Sequence, residues 1–249
     1  MTNEMPIGDY LAQGGRLTSP ENAPPRYRAE LLRLMSSFVD SELAGSAGFA
    51  AAINWAPGIR ERIAASRITL EKADHAERVL DLMEGFGTDK ALYERAHDWA
   101  ARGPREGHVD PRRQGGDMRL SVFHYPLTGW TDAVVMNVLM GSATLHAVGE
   151  LAACSYQPLA EVLRGVLPRE RRHMELGLEG LERLAATERG AAAASVAYWM
   201  PRVAETFGPA GSDRFDRLRA MGLRHTDNET LRQRWRAETA ATLSALKLA

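Results

Sequence analysis

Glu170-Arg171-Arg172-His173 is the stretch on which the reading of the fold turns. A carboxylate and an imidazole three residues apart on a helix point to the same side. In carboxylate-bridged helical bundles, two such Glu-x-x-His pairs hold a pair of iron or manganese ions, together with one carboxylate from each of two further helices. One pair also arises by chance. Its weight therefore depends on what the rest of the chain places beside it.

Around this stretch the sequence predicts a helix from about Pro158, a good first-turn residue, to about Ala186. Gly165 and Pro168 interrupt that helix, and Pro168 cannot bond the Arg164 carbonyl, so a kink is expected just before Glu170. Upstream, Thr131 to about Ser155 is apolar nearly all round, with Val134, Val135, Val138, Leu139, Leu145, Val148 and Leu151, which is the pattern of a central helix. Leu31, Met35, Phe38, Val39 and Leu43 give the 3.6-residue repeat of a helix starting near Tyr27 and fading before Pro57. Glu42 falls at the edge of that stripe or inside it. A second helix runs from Ile59 to Phe86, with Ile63, Ile68, Leu70, Ala73, Val79, Leu80 and Met83 as its apolar face and His75 within it. Shorter helices are expected over Asp89 to Ala101 with Thr88 as cap, Gly190 to Phe207, Asp213 to Met221, and from a cap at Asn228 to about Leu248.

No segment alternates with period two. The fold class is all-α: an antiparallel bundle of four long helices with additional helices packed on it. Residues 26–249 form one domain, and residues 1–25, rich in glycine and proline, form an irregular N-terminal arm. Residues 102–129 lack helical period, and a loop of that length is functional or disordered. Its Arg112, Arg113 and Arg119 suit phosphate groups or an acidic partner, or lie on a solvated surface.

The chain has 249 residues, enough to bury a sizeable core. A formal net charge of -1 argues against nucleic acid or an anionic membrane as the main partner. Cys154 is the single cysteine, which rules out an internal disulfide and fits a reducing, cytoplasmic setting. Met1 to Leu11 has no signal-peptide pattern, and the apolar run Gly190 to Met200 is too short to cross a bilayer.

Ser41-Glu42-Leu43, Ala73-Asp74-His75, Phe123-His124-Tyr125-Pro126, Trp130-Thr131-Asp132, Ser155-Tyr156, Glu170-Arg171-Arg172-His173, Phe207-Gly208-Pro209 and Leu231-Arg232-Gln233-Arg234 occur in an order and spacing that resembles one family. That family is the ferritin-like catalytic subunit of the bacterial phenylacetyl-CoA epoxidase complex. The resemblance covers nearly all of residues 27–247. It implies a di-iron centre that uses dioxygen to epoxidise an aromatic ring held as a CoA thioester, working with a reductase and with a related non-catalytic partner subunit. Carried over by position, it implies Glu42, His75, Glu170 and His173 as metal ligands. Two positions depart: Lys72 stands where the family has a glutamate, and the third helix's carboxylate falls at Gly141. Glu71, four residues before His75, is a candidate replacement for the glutamate, and Asp132 matches a family aspartate near the site. Glu150 reads as peripheral, and Met35, Met83, Met136 and Met140 as core filling.

Three readings of the centre stay open. Lys72 replaces a metal ion electrostatically, paired with Glu42, Glu170 and Asp132. Alternatively, burial lowers its pKa and makes it a base or nucleophile. Thirdly, two histidines and the carboxylates hold one non-haem iron rather than two. Lys72 pointing to solvent, and Asp132 as a plain first-turn residue, are the bland counterparts. The function expected is an oxygenase-like enzyme on a small aromatic or thioester substrate in the bundle core, with CoA thioesters among the candidates, working as a homodimer or with a homologous subunit. The alternative is a metal-free relative, either a cofactor-independent enzyme or a non-catalytic partner subunit.

Overall fold

A computed structural model describes residues 6–107 and 115–248; Arg112 and Arg113 of the expected basic cluster lie outside the described residues. The long helices are α2 (Pro25–Ala52), α3 (Ile59–Glu84), α5 (Trp130–Leu151) and α6 (Gln157–Thr187), numbered with the short α1 (Ile7–Ala12) and α4 (Lys90–Glu94) between them. α7 (Arg189–Glu205), α8 (Asp213–Ala220) and α9 (Asn228–Ala245) follow. Among the described residues there is no strand.

The pairs of residues that touch fix the directions of the bundle. Between α2 and α3, Glu42 meets Lys72 and Ser46 meets Thr69, so one number rises as the other falls. Between α3 and α6, Glu61 meets Arg183 and Lys72 meets Glu170. Between α5 and α6, Val134 faces Gly180 and Gly141 faces Met174. All three pairs are antiparallel, which leaves α3 and α5 running the same way. The bundle is therefore up-down-down-up, with the long connection after α3 crossing its end, the arrangement of ferritin-like folds. It is the ferritin-like arrangement expected from the sequence. A connection holding α4 and a 3₁₀ turn, Ser121–His124, is long enough for the crossing.

α2 opens on Pro25, whose missing N–H falls where a helix needs none. α5 is buried almost all round, as its composition predicts. By length and composition it is also apolar enough to cross a membrane, with a mean hydropathy of 1.3, but 72% of that window is buried against the other helices. α5, rather than the run at Gly190, is thus the most apolar segment.

Several expectations need correction. On α3, Ile63 and Leu70 are more than half exposed and Ala73 is also on the outside. The inward stripe is Ala65, Ile68, Lys72, His75, Ala76, Val79, Leu80 and Met83, and its two polar members hid it from a hydrophobicity count. α6 runs unbroken through Gly165 and Pro168. α4 spans only Lys90–Glu94 and is capped by Asp89, whose side chain accepts from the Leu92 N–H. Asp227, rather than Asn228, caps α9 by accepting from the Thr230 N–H. The arm is not wholly irregular: it contains α1, and Leu17 is buried, its carbonyl accepting the first N–H of α6 at 2.9 Å. Arg119 is also buried, its guanidinium held by Asp117 and by the Asp98, Trp99 and Ala101 carbonyls. Those partners tie it to the connection itself rather than to a phosphate.

α5 packs tightly on α6 at two α6 glycines. A Cβ on Gly177 would lie 2.6 Å from Asn137 Nδ2, and one on Gly180 3.1 Å from Val134 Cγ1. Gly177→Ala is expected to lower stability by about 1–3 kcal/mol through overpacking, measured by thermal or urea unfolding. An unchanged midpoint would show that the two helices part freely.

Candidate functional site

Two apolar cores share the bundle. On α6 the first ends at Val166 and the second begins at Leu181. Glu170 and His173 occupy the turns between them and face inward, one 1% exposed and the other fully buried. Glu42 of α2, with Lys72 and His75 of α3, meets them there, and all five side chains are buried.

Lys72 Nζ donates to Glu42 Oε1 at 3.0 Å and to Glu170 Oε1 and Oε2 at 3.1 and 3.3 Å. His75 Nδ1 lies 3.0 Å from Glu42 Oε2 and 3.1 Å from Glu170 Oε1. Both neighbours are acceptors, so Nδ1 carries the proton and Nε2 is left buried without a partner. The ring of His173 lies 5.9 Å from that of His75. Its Nε2 donates to Glu71 Oε2 at 2.6 Å. His173 Nδ1 is 3.4 Å from Glu170 Oε1 with no hydrogen bond, and it too is buried.

The charges follow from these contacts. Burial opposes the Lys72 ammonium, but the charges and hydrogen bonds of Glu170 and Glu42 outweigh it and raise the amine's pKa. Burial likewise opposes the His75 imidazolium, and the same two carboxylates raise its pKa. Burial pushes the Glu170 carboxyl up, yet the ammonium of Lys72, with His173 and His75, holds it well below the ordinary range. Lys72 is therefore a firmly protonated cation. The lowered pKa that burial alone would give is thus reversed by the two carboxylates.

Of the candidates read from the sequence, Glu42, Lys72, His75, Glu170, His173 and Glu71 come together, and Lys72 does not point to solvent. Glu71 reaches His173 rather than the carboxylates. Asp132 stands apart from the cluster at the start of α5. Its carboxylate accepts from Arg105, from the Thr128 N–H and hydroxyl at 3.0 and 2.8 Å, and from Ser195 Oγ at 2.6 Å. It cannot pair with Lys72 as expected, because its acceptors are committed to the segment before α5 and to α7. Burial raises the Asp132 pKa, but those donors carry it down to about 2 from 3.8. Its contribution to stability is present above pH 3.8 and is lost as the pH falls toward 2. Asp132→Asn is expected to cost about 1–2 kcal/mol at pH 7, and less as a denaturation series approaches pH 2. Glu150 accepts from the His225 and Thr226 N–H groups at 2.7 and 2.8 Å, far along the chain from the cluster.

Sequence reasoning missed Asp40, which is fully buried and accepts from Tyr93 Oη and from the Met118 N–H, each at 2.6 Å. Ser41 Oγ accepts from the Leu120 N–H at 3.1 Å. The run Asp40-Ser41-Glu42, three polar residues in an apolar stripe, was the signal. Asn137 was also missed; its Nδ2 donates to the His173 carbonyl at 2.8 Å and ties α5 to the site.

Ligand atoms from Glu42, His75 and Glu170 lie within 4.8 Å of one another. His173 stands outside that group of three, with Nδ1 3.4 Å from Glu170 Oε1, and its other nitrogen is oriented by Glu71, as is usual for metal-ligating histidines. That donor set suits one divalent ion of the iron or manganese type. It does not suit two. Lys72 brings a positive charge to the second half of the site, and a Cβ at Gly141 would lie 3.1 Å from Met174 Cβ, so a further carboxylate there needs Met174 to give way.

A cavity of about 180 Å³ opens between α2, α3, α5 and α6 at the end where Glu61 meets Arg183, and none of the five cluster side chains lines it. Phe49, Ile68, Ala133, Val134 and Leu176 line it, and Arg60, Arg67, Arg172 and Arg183 stand among its wall residues.

The profile of a family described as "Phenylacetic acid catabolic protein" matches residues 5–249. The chain is also similar to one of the subunits of the 1,2-phenylacetyl-CoA epoxidase of Escherichia coli (strain K12). The two are 24% identical over 256 residues, covering 99% of this chain and 76% of that one.

Proposed function

The chain belongs to the phenylacetic acid catabolic protein family, and on that premise we propose that it is an oxygenase-type subunit taking one iron ion between Glu42, His75, Glu170 and His173. The substrate is a small aromatic acid held as a thioester, as the name of the similar epoxidase suggests. The observation that carries this reading is the bond from His173 Nε2 to Glu71. It fixes Nε2 as a donor and leaves Nδ1 buried 3.4 Å from Glu170 Oε1 without a hydrogen bond, the nitrogen an ion bound by Glu170 would meet. Iron in this place would supply the activation of dioxygen.

The chain's own residues do the remainder. Glu71 fixes the tautomer of His173. The Lys72 ammonium holds Glu42 and Glu170 together while no ion binds, and competes with any ion that does. The cavity between the helices has about the volume that holds a benzene ring, and of its arginines Arg60, Arg172 and Arg183 are already paired with Glu179, Glu175 and Glu61, which a carrier's phosphates would have to displace. We place the protein in the cytoplasm beside a homologous partner subunit.

Protein purified after iron supplementation is expected to carry about one iron per chain. Glu71→Gln should weaken that binding roughly 10–100-fold, read by anaerobic titration. A second reading is favoured by the ammonium's place between the two carboxylates: a metal-free family member serving as a non-catalytic partner subunit. Iron near zero after supplementation, in both the parent and Lys72→Met, would sink the first reading and leave the second.

A further inference from the structure

The stem of Lys72 crosses α2 at Gly45. A Cβ at that position would lie 3.1 Å from Lys72 Cδ, 3.6 Å from Lys72 Cε and 3.6 Å from Phe123 Cε1. Gly45 is buried in the interior of α2. Its φ is not positive, so the backbone there accepts any L residue. A glycine in a helix interior is the poorest choice after proline, and the helix gains nothing from it. What it provides is a notch, one turn beyond Glu42, through which the lysine's methylenes pass before the ammonium meets Glu42 and Glu170.

We propose that Gly45 is a positioning residue that makes Lys72 the resident cation of the site. A side chain at 45 fills the notch, lifts the stem and takes the ammonium off the two carboxylates. This rests on the reading above only in that the displaced ammonium and a metal ion compete for the same two groups. Phe123 closes the notch on its other side, so the stem has little room to move sideways.

Lys72, Lys90 and Lys247 are the only lysines of the chain, which makes the test simple. The folded full-length parent, Gly45→Ala and Gly45→Val are reductively methylated with formaldehyde, and each lysine's rate is read by peptide mass spectrometry. Lys90 and Lys247 are more accessible and serve as internal references. In the parent, Lys72 is expected to be protected. Its rate should rise about threefold in Gly45→Ala and about tenfold in Gly45→Val, with the two references unchanged. Gly45→Ala should melt below the parent although alanine is the better helix former, because two buried carboxylates lose their shared ammonium. If Gly45→Val does not fold, Gly45→Ala decides alone. An unchanged Lys72 rate overturns the proposal.

Manganese titration of the parent, Gly45→Ala, Lys72→Met and the double variant completes the test. Gly45→Ala should tighten binding when Lys72 is present and have no effect when it is methionine. An effect of equal size in both backgrounds overturns the proposal. Raised Lys72 labelling with no manganese binding in any of the four proteins supports the role of Gly45 and overturns the metal reading.

Discussion

Lys72→Met is expected to destabilise the metal-free protein by about 3–5 kcal/mol, the usual cost of removing one partner from a buried ion pair. Glu42 and Glu170 share the ammonium at 3.0 and 3.1 Å. Without it, two buried carboxylates face each other with only His75 Nδ1 between them. In a chain of this size the melting temperature should fall by roughly 10 °C. Methionine keeps most of the lysine's volume, so the loss reports on charge rather than on a cavity. Manganese should restore much of it, because an ion at about 100 times its dissociation constant returns roughly 2.7 kcal/mol. A variant that melts with the parent and ignores manganese would show that the ammonium neither holds the carboxylates together nor occupies an ion's place.

Glu170→Gln is expected to cost a similar amount, about 3–5 kcal/mol, without rescue by any divalent ion. Glu170 is the hub: it accepts from Lys72 and His75 and stands 3.4 Å from His173 Nδ1. A glutamine keeps one acceptor and turns the other into a donor, which then meets an N–H that is also a donor. The pH dependence separates this from a packing defect. The Glu170 carboxyl is held well below its ordinary 4.5, so its contribution is full above that value and fades as the pH falls through it. The gap between parent and variant should therefore be widest near neutrality and narrow in acid. A gap constant from pH 7 to pH 3 would mean that charge plays no part.

Helical periodicity was enough to read the four long helices, because α2, α5 and α6 carry continuous apolar stripes. It was not enough for α3. There the inward face includes Lys72 and His75, while Ile63 and Leu70 face out, so counting apolar residues pointed at the wrong side. The direction of α5 was not legible either, since it depends on where the connection of residues 85–129 crosses and not on any residue within the helix. Glu170 and His173 marked the centre through their spacing, and Lys72 was visible as a departure from the family's pattern. The ammonium's state was not visible, because burial and two carboxylates act on it in opposite directions and only distances decide which wins. Asp132 was misplaced for a related reason: Arg105, Thr128 and Ser195, which occupy it, come from three separate parts of the chain.

The tight seam between α5 and α6 bears on how such a centre changes over generations. At residue 141, a carboxylate of the kind the family resemblance implies would push into Met174. Restoring a second ion therefore takes more than Lys72→Glu. Met174 must also give way, in a seam already tight at Gly177 and Gly180. A two-ion centre of the kind the resemblance implies is thus opposed by the spacing of the backbone as well as by the charge of Lys72.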